Sequence, residues 1–113
     1  MKTVKTNVLG TEYEVVFGKR KEIGVPKTVG GQCYSYQHKI SVEHSMRDCQ
    51  KKEERDGRTV DVLAHEMFHA YVEESGLDIS PDTEEQLACW YMKMWRKMNN
   101  SILQCLDKMN LLD

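Results

Sequence analysis

The chain has 113 residues, enough for one compact domain and too few for two ordinary ones, so we expect a single domain over residues 1–113. The formal charge of −2 lacks the basic excess that nucleic acids and anionic membranes select, and we expect neither as a partner. No apolar run is long enough to span a bilayer, and residues 1–6 lack the apolar core of a secretion signal, which predicts a cytoplasmic protein.

The N-terminal part of the sequence carries strand patterns. Residues 3–9 and 12–17 are rich in β-branched and aromatic side chains, with Gly10 between them, and predict a hairpin. Residues 18–31 contain several glycine and proline residues and predict a loop. Apolar residues then alternate with polar ones over residues 33–42. This alternation predicts an edge strand, or two short strands that turn near Gln37.

A first helix is predicted in the middle of the chain. Residues 43–57 are densely charged and indicate a solvated connection or an exposed helix. Thr59 can cap a helix that runs to about Ser75, where Gly76 offers a stop.

A second helix is predicted from Ser80 to about Met109. Pro81 suits its first turn, and apolar side chains recur at helical spacing along it. The recurring residues are Leu87, Tyr91, Met94, Trp95, Met98 and Ile102. Core packing is the main use of this stripe, although its two tryptophans leave a dimer or partner surface open. The predicted fold class is α+β, with a small twisted antiparallel sheet packed on the two helices.

The cysteines predict neither a zinc knuckle nor a disulfide framework. They are widely separated and form no CxxC pair, and a reducing compartment keeps such residues as thiols. The four residues are Cys33, Cys49, Cys89 and Cys105.

The first predicted helix contains a metal-ligand pattern, His65-Glu66-Met67-Phe68-His69. Side chains four residues apart lie on one helix face, so His65 and His69 can grip one ion. Glu66 lies about 100° further round the helix, where its carboxylate can take a proton from a metal-bound water. The HExxH spacing therefore predicts a Zn²⁺ site with Glu66 as general base.

A coincidental motif built from core histidines is the alternative. The motif lies among apolar neighbours, where two histidines and a glutamate without a partner would be expensive to bury. A bound cation removes that cost, which favours the metal site.

A catalytic zinc site requires a third protein ligand and one open position. No histidine follows His69, so the extended three-histidine pattern is absent and a carboxylate is the better candidate. Glu84 and Glu85 both open the second helix. Glu85 begins an ExxA segment in which the small Ala88 allows the two helices to approach, whereas helical phase places Glu84 nearer the apolar stripe. The sequence leaves both glutamates open.

The HExxH motif, followed by Glu85-Gln86-Leu87-Ala88, resembles the gluzincin metallopeptidases. Residues 30–98 are similar to the minimal phage-type metallopeptidases that bacteriophages and mobile elements carry. The resemblance implies a zincin-like minimal domain with zinc held by His65, His69 and Glu85. It also implies that Glu66 acts as base in the hydrolysis of a peptide or protein substrate, which pairs with an edge strand over residues 36–42. Cys89 departs from the family, because many gluzincins carry Asp or Asn at that position.

A non-catalytic zinc-binding regulatory or interaction module is the alternative function. The intact Glu66 favours the enzyme, because metal binding alone requires no base. Asp61 is a candidate to orient His65. Four further residues are candidates to stabilise an oxyanion, and the sequence offers no geometry for choosing among them. They are His38, His44, Tyr71 and Tyr91.

Overall fold

The computed structural model describes residues 1–26, 30–46 and 49–112, and these form an α+β fold with a mixed four-stranded sheet and two long helices. Residues 27–29 of the predicted loop and residues 47–48 of the charged segment lie outside the described residues. The elements in chain order are β1 Lys2–Val8, β2 Thr11–Gly18, α1 Arg20–Ile23, β3 Gly31–Tyr34, β4 Lys39–Glu43, α2 Lys52–Ser75 and α3 Pro81–Lys108.

The predicted N-terminal hairpin is confirmed. β1 and β2 pair antiparallel, and Val8 faces Thr11 across the turn. The two turn residues, Leu9 and Gly10, both have positive φ angles, of 50° and 93°. Two left-handed residues in sequence match the twist of a two-residue hairpin, which explains a glycine at the second position.

The sheet is mixed, so the prediction of an antiparallel sheet is wrong for one pairing. The strand order is β1-β2-β4-β3, and β4 runs parallel to β2. After β2 the chain passes through α1 to the far edge of the sheet, where β3 forms. It then reverses and inserts β4 between β3 and β2. A local alternation pattern carries no information about such a crossover.

The prediction of an edge strand over residues 36–42 is also wrong, while the alternative of two short strands is confirmed. A 3-10 turn at Ser35–Gln37 and a left-handed His38 separate β3 from β4. β4 is an interior strand, with Ile40 and Val42 fully buried. Tyr36 lies on the turn and is fully exposed. β3 is therefore the edge strand on this side of the sheet.

The main core lies between the sheet and α2. Side chains of β1, β2 and β4 pack against Ala70 of α2, and Tyr13 is fully buried among them. The Tyr13 hydroxyl donates to Glu74 on α2 at 3.1 Å, so this buried phenol has its hydrogen bond. A smaller cluster of Val16, Ile23 and Val25 covers the other face of the sheet.

Both long helices end as predicted, but α2 starts earlier. It begins at Lys52, so residues 52–57 of the charged segment belong to the helix. Thr59 lies inside the helix, where its hydroxyl donates to the Arg55 carbonyl oxygen. Gly76 ends α2 with a φ of 72°, and the Ser80 hydroxyl caps α3 by accepting from the Thr83 backbone at 3.2 Å.

All four cysteines are free thiols, and within the described residues no helix is long and apolar enough to cross a membrane. The free thiols agree with the wide separation of the cysteines along the sequence.

β3 lies in close contact with α2 at Gly31. A Cβ atom at this position would lie 2.6 Å from Val62 Cγ1 of α2 and 2.7 Å from the Ser41 carbonyl oxygen of β4. Both distances are too short for carbon, and the second neighbour is backbone that cannot rotate away. A residue without a side chain is therefore required where β3 meets the helix.

We expect Gly31→Ala to lower the free energy of unfolding by about 1–3 kcal/mol, because the added methyl group forces β3 away from α2. Gly57→Ala is the matched control. Gly57 lies within α2 and its Cβ would meet nothing within 4 Å, so alanine there should raise stability by about 0.5–1 kcal/mol. Urea unfolding followed by circular dichroism measures both changes, and an unchanged midpoint for Gly31→Ala would show that the close approach is wrong.

Candidate metal centre

Two antiparallel helices supply the side chains of the site. α2 carries His65, Glu66 and His69 at the level of the β3 edge, and α3 carries Glu84 and Glu85 in its first turn. The helices meet closely one turn further along α3. Ala88 is fully buried there, and the Phe68 and Tyr91 rings pack with their centroids 5.5 Å apart. The small alanine at this level lets the glutamates reach the histidines.

The structure brings His65, His69 and Glu85 together around one point. The two Nε2 atoms of the histidines lie 3.3 Å apart. Glu85 reaches across from α3, with Oε1 2.9 Å from His65 Nε2 and Oε2 3.1 Å from His69 Nε2. A single carboxylate thus faces both imidazole rings on the side where their Nε2 atoms converge.

Glu84 contacts the opposite side of the His69 ring. Its Oε2 lies 2.5 Å from His69 Nδ1, so Nδ1–H donates to the carboxylate. In neutral imidazole this tautomer leaves the Nε2 lone pair directed at His65 and Glu85. A carboxylate on the far nitrogen is the arrangement that fixes the ring of a metal-binding histidine. The two glutamates between which the sequence could not choose therefore differ in their contacts. Glu85 faces both Nε2 atoms, and Glu84 faces Nδ1 of His69.

The converging groups lie at about the spacing of ligands in a tetrahedral cation site. Ligands at about 2.0–2.1 Å from a tetrahedral ion lie about 3.3 Å from one another. The two Nε2 atoms are 3.3 Å apart, and Glu85 presents a different oxygen to each, Oε1 at 2.9 Å from His65 and Oε2 at 3.1 Å from His69. A divalent cation at this point could be held by both Nε2 atoms and the Glu85 carboxylate.

His65 is held in the uncharged form that a ligand needs. Burial lowers the pKa of His65 and is the largest influence, and the nearby His69 lowers it as well. Glu85 opposes both by favouring the protonated ring. The net direction is downward, so the nitrogen lone pair is available near neutral pH.

Glu66 is a buried carboxyl beside this cluster. Its side chain is only 9 % exposed, and burial raises its pKa to about 7. The negative charge of Glu85 adds to the rise, whereas His69 and a hydrogen bond from the Cys33 backbone oppose it. A carboxyl near its midpoint at neutral pH can both accept and release a proton.

The cluster opens into a cleft of about 560 Å³ between α2, α3 and β3. Gly31, Gln32 and Cys33 of β3, with Gly30 just before them, form one wall of the cleft. The Glu43 backbone N–H donates to the Gly30 oxygen, so these two residues form a hydrogen-bonded pair. Along an antiparallel pair of strands, hydrogen-bonded and non-hydrogen-bonded residue pairs alternate. Gly31 and Cys33 therefore direct their backbone N–H and C=O groups away from β4. Within the described residues no strand pairs with this outer side of β3.

Cys89 is a site residue whose contacts the sequence did not predict. Its Sγ lies 3.9 Å from His65 Nδ1 and 3.7 Å from Glu85 Oε1. The ligand atoms of His65, Glu85 and Cys89 all lie within 4.8 Å of one another. The spacing of four residues between Glu85 and Cys89 on one helix was the available signal, because such pairs share a face.

The remaining sequence candidates lie away from the cleft. The His38 ring packs on Tyr13, and His44 Nδ1 is 2.8 Å from the Thr59 hydroxyl. Tyr91 packs on Phe68, while Tyr71 and Asp61 are exposed on α2. None of the five is among the residues that line the cleft.

Comparisons of this chain with family models, with curated proteins and with solved structures found no match.

The environment of Cys33 predicts that its thiol, which lines the cleft, reacts slowly with alkylating reagents. Burial raises the pKa of Cys33 to about 11, since the thiolate is poorly solvated and lies near the carboxylates of Glu66 and Glu84. Because the thiolate is the reactive form, we expect alkylation of Cys33 at pH 8 to be slower than that of the exposed Cys105, and to accelerate as pH rises towards 11.

Peptide mapping by mass spectrometry after timed iodoacetamide treatment measures the two rates. Urea-unfolded protein is the control, in which the difference should vanish. Equal rates in the folded protein at pH 8 would contradict the described position of Cys33.

Proposed function

We propose that the chain is a cytoplasmic zinc-dependent peptidase with a zincin-like fold of the gluzincin type, which hydrolyses a peptide bond in a peptide or protein substrate. One observation carries the proposal. The Nε2 atoms of His65 and His69 and the Glu85 carboxylate converge at ligand spacing beside the buried carboxyl of Glu66. A site that only binds an ion does not require the Glu66 carboxyl.

His65, His69 and Glu85 are the proposed zinc ligands, and Glu84 is a positioning residue. Glu84 holds the His69 ring through Nδ1 and so directs Nε2 at the cluster. Two imidazoles and one carboxylate suit zinc among the common divalent ions and leave one of its four positions open.

Zinc, when bound, supplies Lewis acidity that polarises a carbonyl and makes water a nucleophile at neutral pH. The residues of the chain handle the proton. Glu66 takes a proton from the attacking water and later passes it to the leaving amine. Its burial against β3 limits competing bulk water, and the hydrogen bond from the Cys33 backbone keeps the carboxylate oriented.

The substrate peptide pairs with β3 in this proposal, instead of with residues 36–42. The backbone N–H and C=O of Gly31 and the C=O of Cys33 face the open side of β3, whereas the Cys33 N–H donates to Glu66. Backbone pairing recognises an extended peptide without selecting its side chains. The short strand and the shallow walls of the cleft leave little room for a deep specificity pocket.

A non-catalytic zinc-binding regulatory or interaction module is the second candidate, and Cys89 is the observation that favours it. The Cys89 thiol, 3.7 Å from Glu85 Oε1, is close enough to shift into a fourth ligand position, where a bound ion would take the place of its proton. Four protein ligands make the closed site of a structural zinc, which has no position for water.

The ligand assignment predicts different effects for the two adjacent glutamates. We expect His65→Ala and Glu85→Gln to abolish tight zinc binding, and Glu84→Gln to weaken it about 10–100-fold by freeing the His69 ring. Asp82→Asn is the control, since Asp82 is an exposed acid in the same turn of α3. Competition with a chromophoric chelator measures the affinities. Loss in Glu84→Gln with retention in Glu85→Gln would reverse the assignment, and full retention in His65→Ala would exclude the site.

The two candidate functions differ in their prediction for Glu66 and Cys89. For the peptidase we expect Glu66→Gln to keep zinc and to lower hydrolysis by at least about 100-fold, because a proton acceptor is lost. Cys89→Ser should then leave zinc affinity within a few-fold of the wild type.

Hydrolysis of a quenched fluorescent peptide library by zinc-loaded protein, followed beside chelator titration, measures both. Wild-type activity in Glu66→Gln would contradict the assigned base. Loss of zinc in Cys89→Ser would establish the closed site instead.

A further inference from the structure

The apolar stripe of α3 has two parts that differ in what covers them. Its first part packs on α2: Ala88 is fully buried, Tyr91 contacts Phe68, and Trp95 is half-buried. These three residues are spaced by three and then four positions. This spacing is the heptad pattern of a helix seam, in which a and d positions face a partner helix.

The same spacing continues beyond Trp95 without a cover. Met98, Ile102, Cys105 and Met109 extend the seam at alternating steps of three and four. Met98 is 50 % exposed, Ile102 53 % and Met109 68 %, and Cys105 is exposed as well. The heptad spacing thus runs from Ala88 to Met109, whereas α2 covers only the first part of it, up to Trp95.

We propose that Met98, Ile102, Cys105 and Met109, the distal seam, pack against the distal seam of a second copy of this chain to form a two-helix dimer. The proposal is independent of the proposed peptidase activity. The first part of α3 packs on α2 through residues at the same three–four spacing. A second copy of the chain supplies another helix with apolar residues at this spacing.

The flanks of the distal seam are mostly neutral. Asn99 and Ser101 carry no charge, and Lys108 at the end of α3 is the charged residue at a similar angle from the seam's centre. The basic side chains Arg96 and Lys97 lie on the far side of the helix from Ile102, about 110–150° from the centre of the seam at 100° per residue.

The available apolar area suits a dimer of modest affinity. The exposed side chains of Met98, Ile102 and Met109, together with those of Leu111 and Leu112 just beyond the distal seam, offer on the order of 500 Å² per copy. A pair that buries all of them reaches about 1,000 Å², where specific interfaces begin. We therefore expect dissociation in the micromolar range and a dimer that forms as concentration rises.

Ile102→Glu and Leu103→Glu form a matched pair of variants. Both replace an exposed apolar residue of α3 with the same charge, at 53 % and 41 % exposure. Ile102 lies in the distal seam, whereas Leu103 lies about 130° away from its centre. Circular dichroism checks that both variants keep the helical content of the wild type, and a reductant in every sample prevents linkage through Cys105.

Sedimentation velocity of the full chain over a range of micromolar concentrations tests the proposal. We expect the wild type and Leu103→Glu to dimerise alike and Ile102→Glu to dimerise at least about tenfold more weakly. A wild type that stays monomeric, or equal weakening by both substitutions, overturns it. If monomeric wild type instead floats with phosphatidylcholine–phosphatidylserine vesicles and Ile102→Glu does not, the seam is a membrane-binding face and the dimer is overturned.

Discussion

The site depends on the close approach of α2 and α3 at Ala88. Because this residue is fully buried and has only a methyl side chain, the first turn of α3 lies near enough for one carboxylate to contact both histidine rings. A larger side chain would separate the helices by more than the few tenths of an ångström that a ligand sphere tolerates. The local charges follow from this distance: two imidazoles and two carboxylates share a half-buried space, and each His69 nitrogen faces its own glutamate.

A second constraint, at Gly31, connects the cluster of His65, His69 and Glu85 to the sheet. The missing side chain lets β3 lie against α2, which buries Glu66 and puts a backbone donor of Cys33 next to it. The edge strand, the buried acid and the ligand cluster therefore depend on one another. A strand held further away would leave Glu66 solvated as an ordinary surface carboxylate, and it would also move the open backbone groups of β3 away from the cleft.

Local sequence signals predicted the elements well and their arrangement in part. The hairpin at Gly10, the stop at Gly76 and the cap at Ser80 follow from backbone chemistry that acts within a few residues. The parallel pairing of β4 with β2 depends on a crossover between distant segments, which alternation cannot encode. At the site, HExxH placed three side chains on α2. The different positions of Glu84 and Glu85, and the contact of Cys89, depend on how α3 docks on α2, so they required the structure.

The most direct test of the account is X-ray absorption at the zinc edge on the zinc-loaded protein, compared with Cys89→Ser. The account predicts nitrogen and oxygen atoms bound to zinc at about 2.0–2.2 Å, two of the nitrogens from imidazole rings, and identical spectra for the two proteins. A sulfur scatterer at about 2.3 Å that disappears in Cys89→Ser would contradict an open position for water. A spectrum of hydrated zinc without imidazole would contradict the site itself.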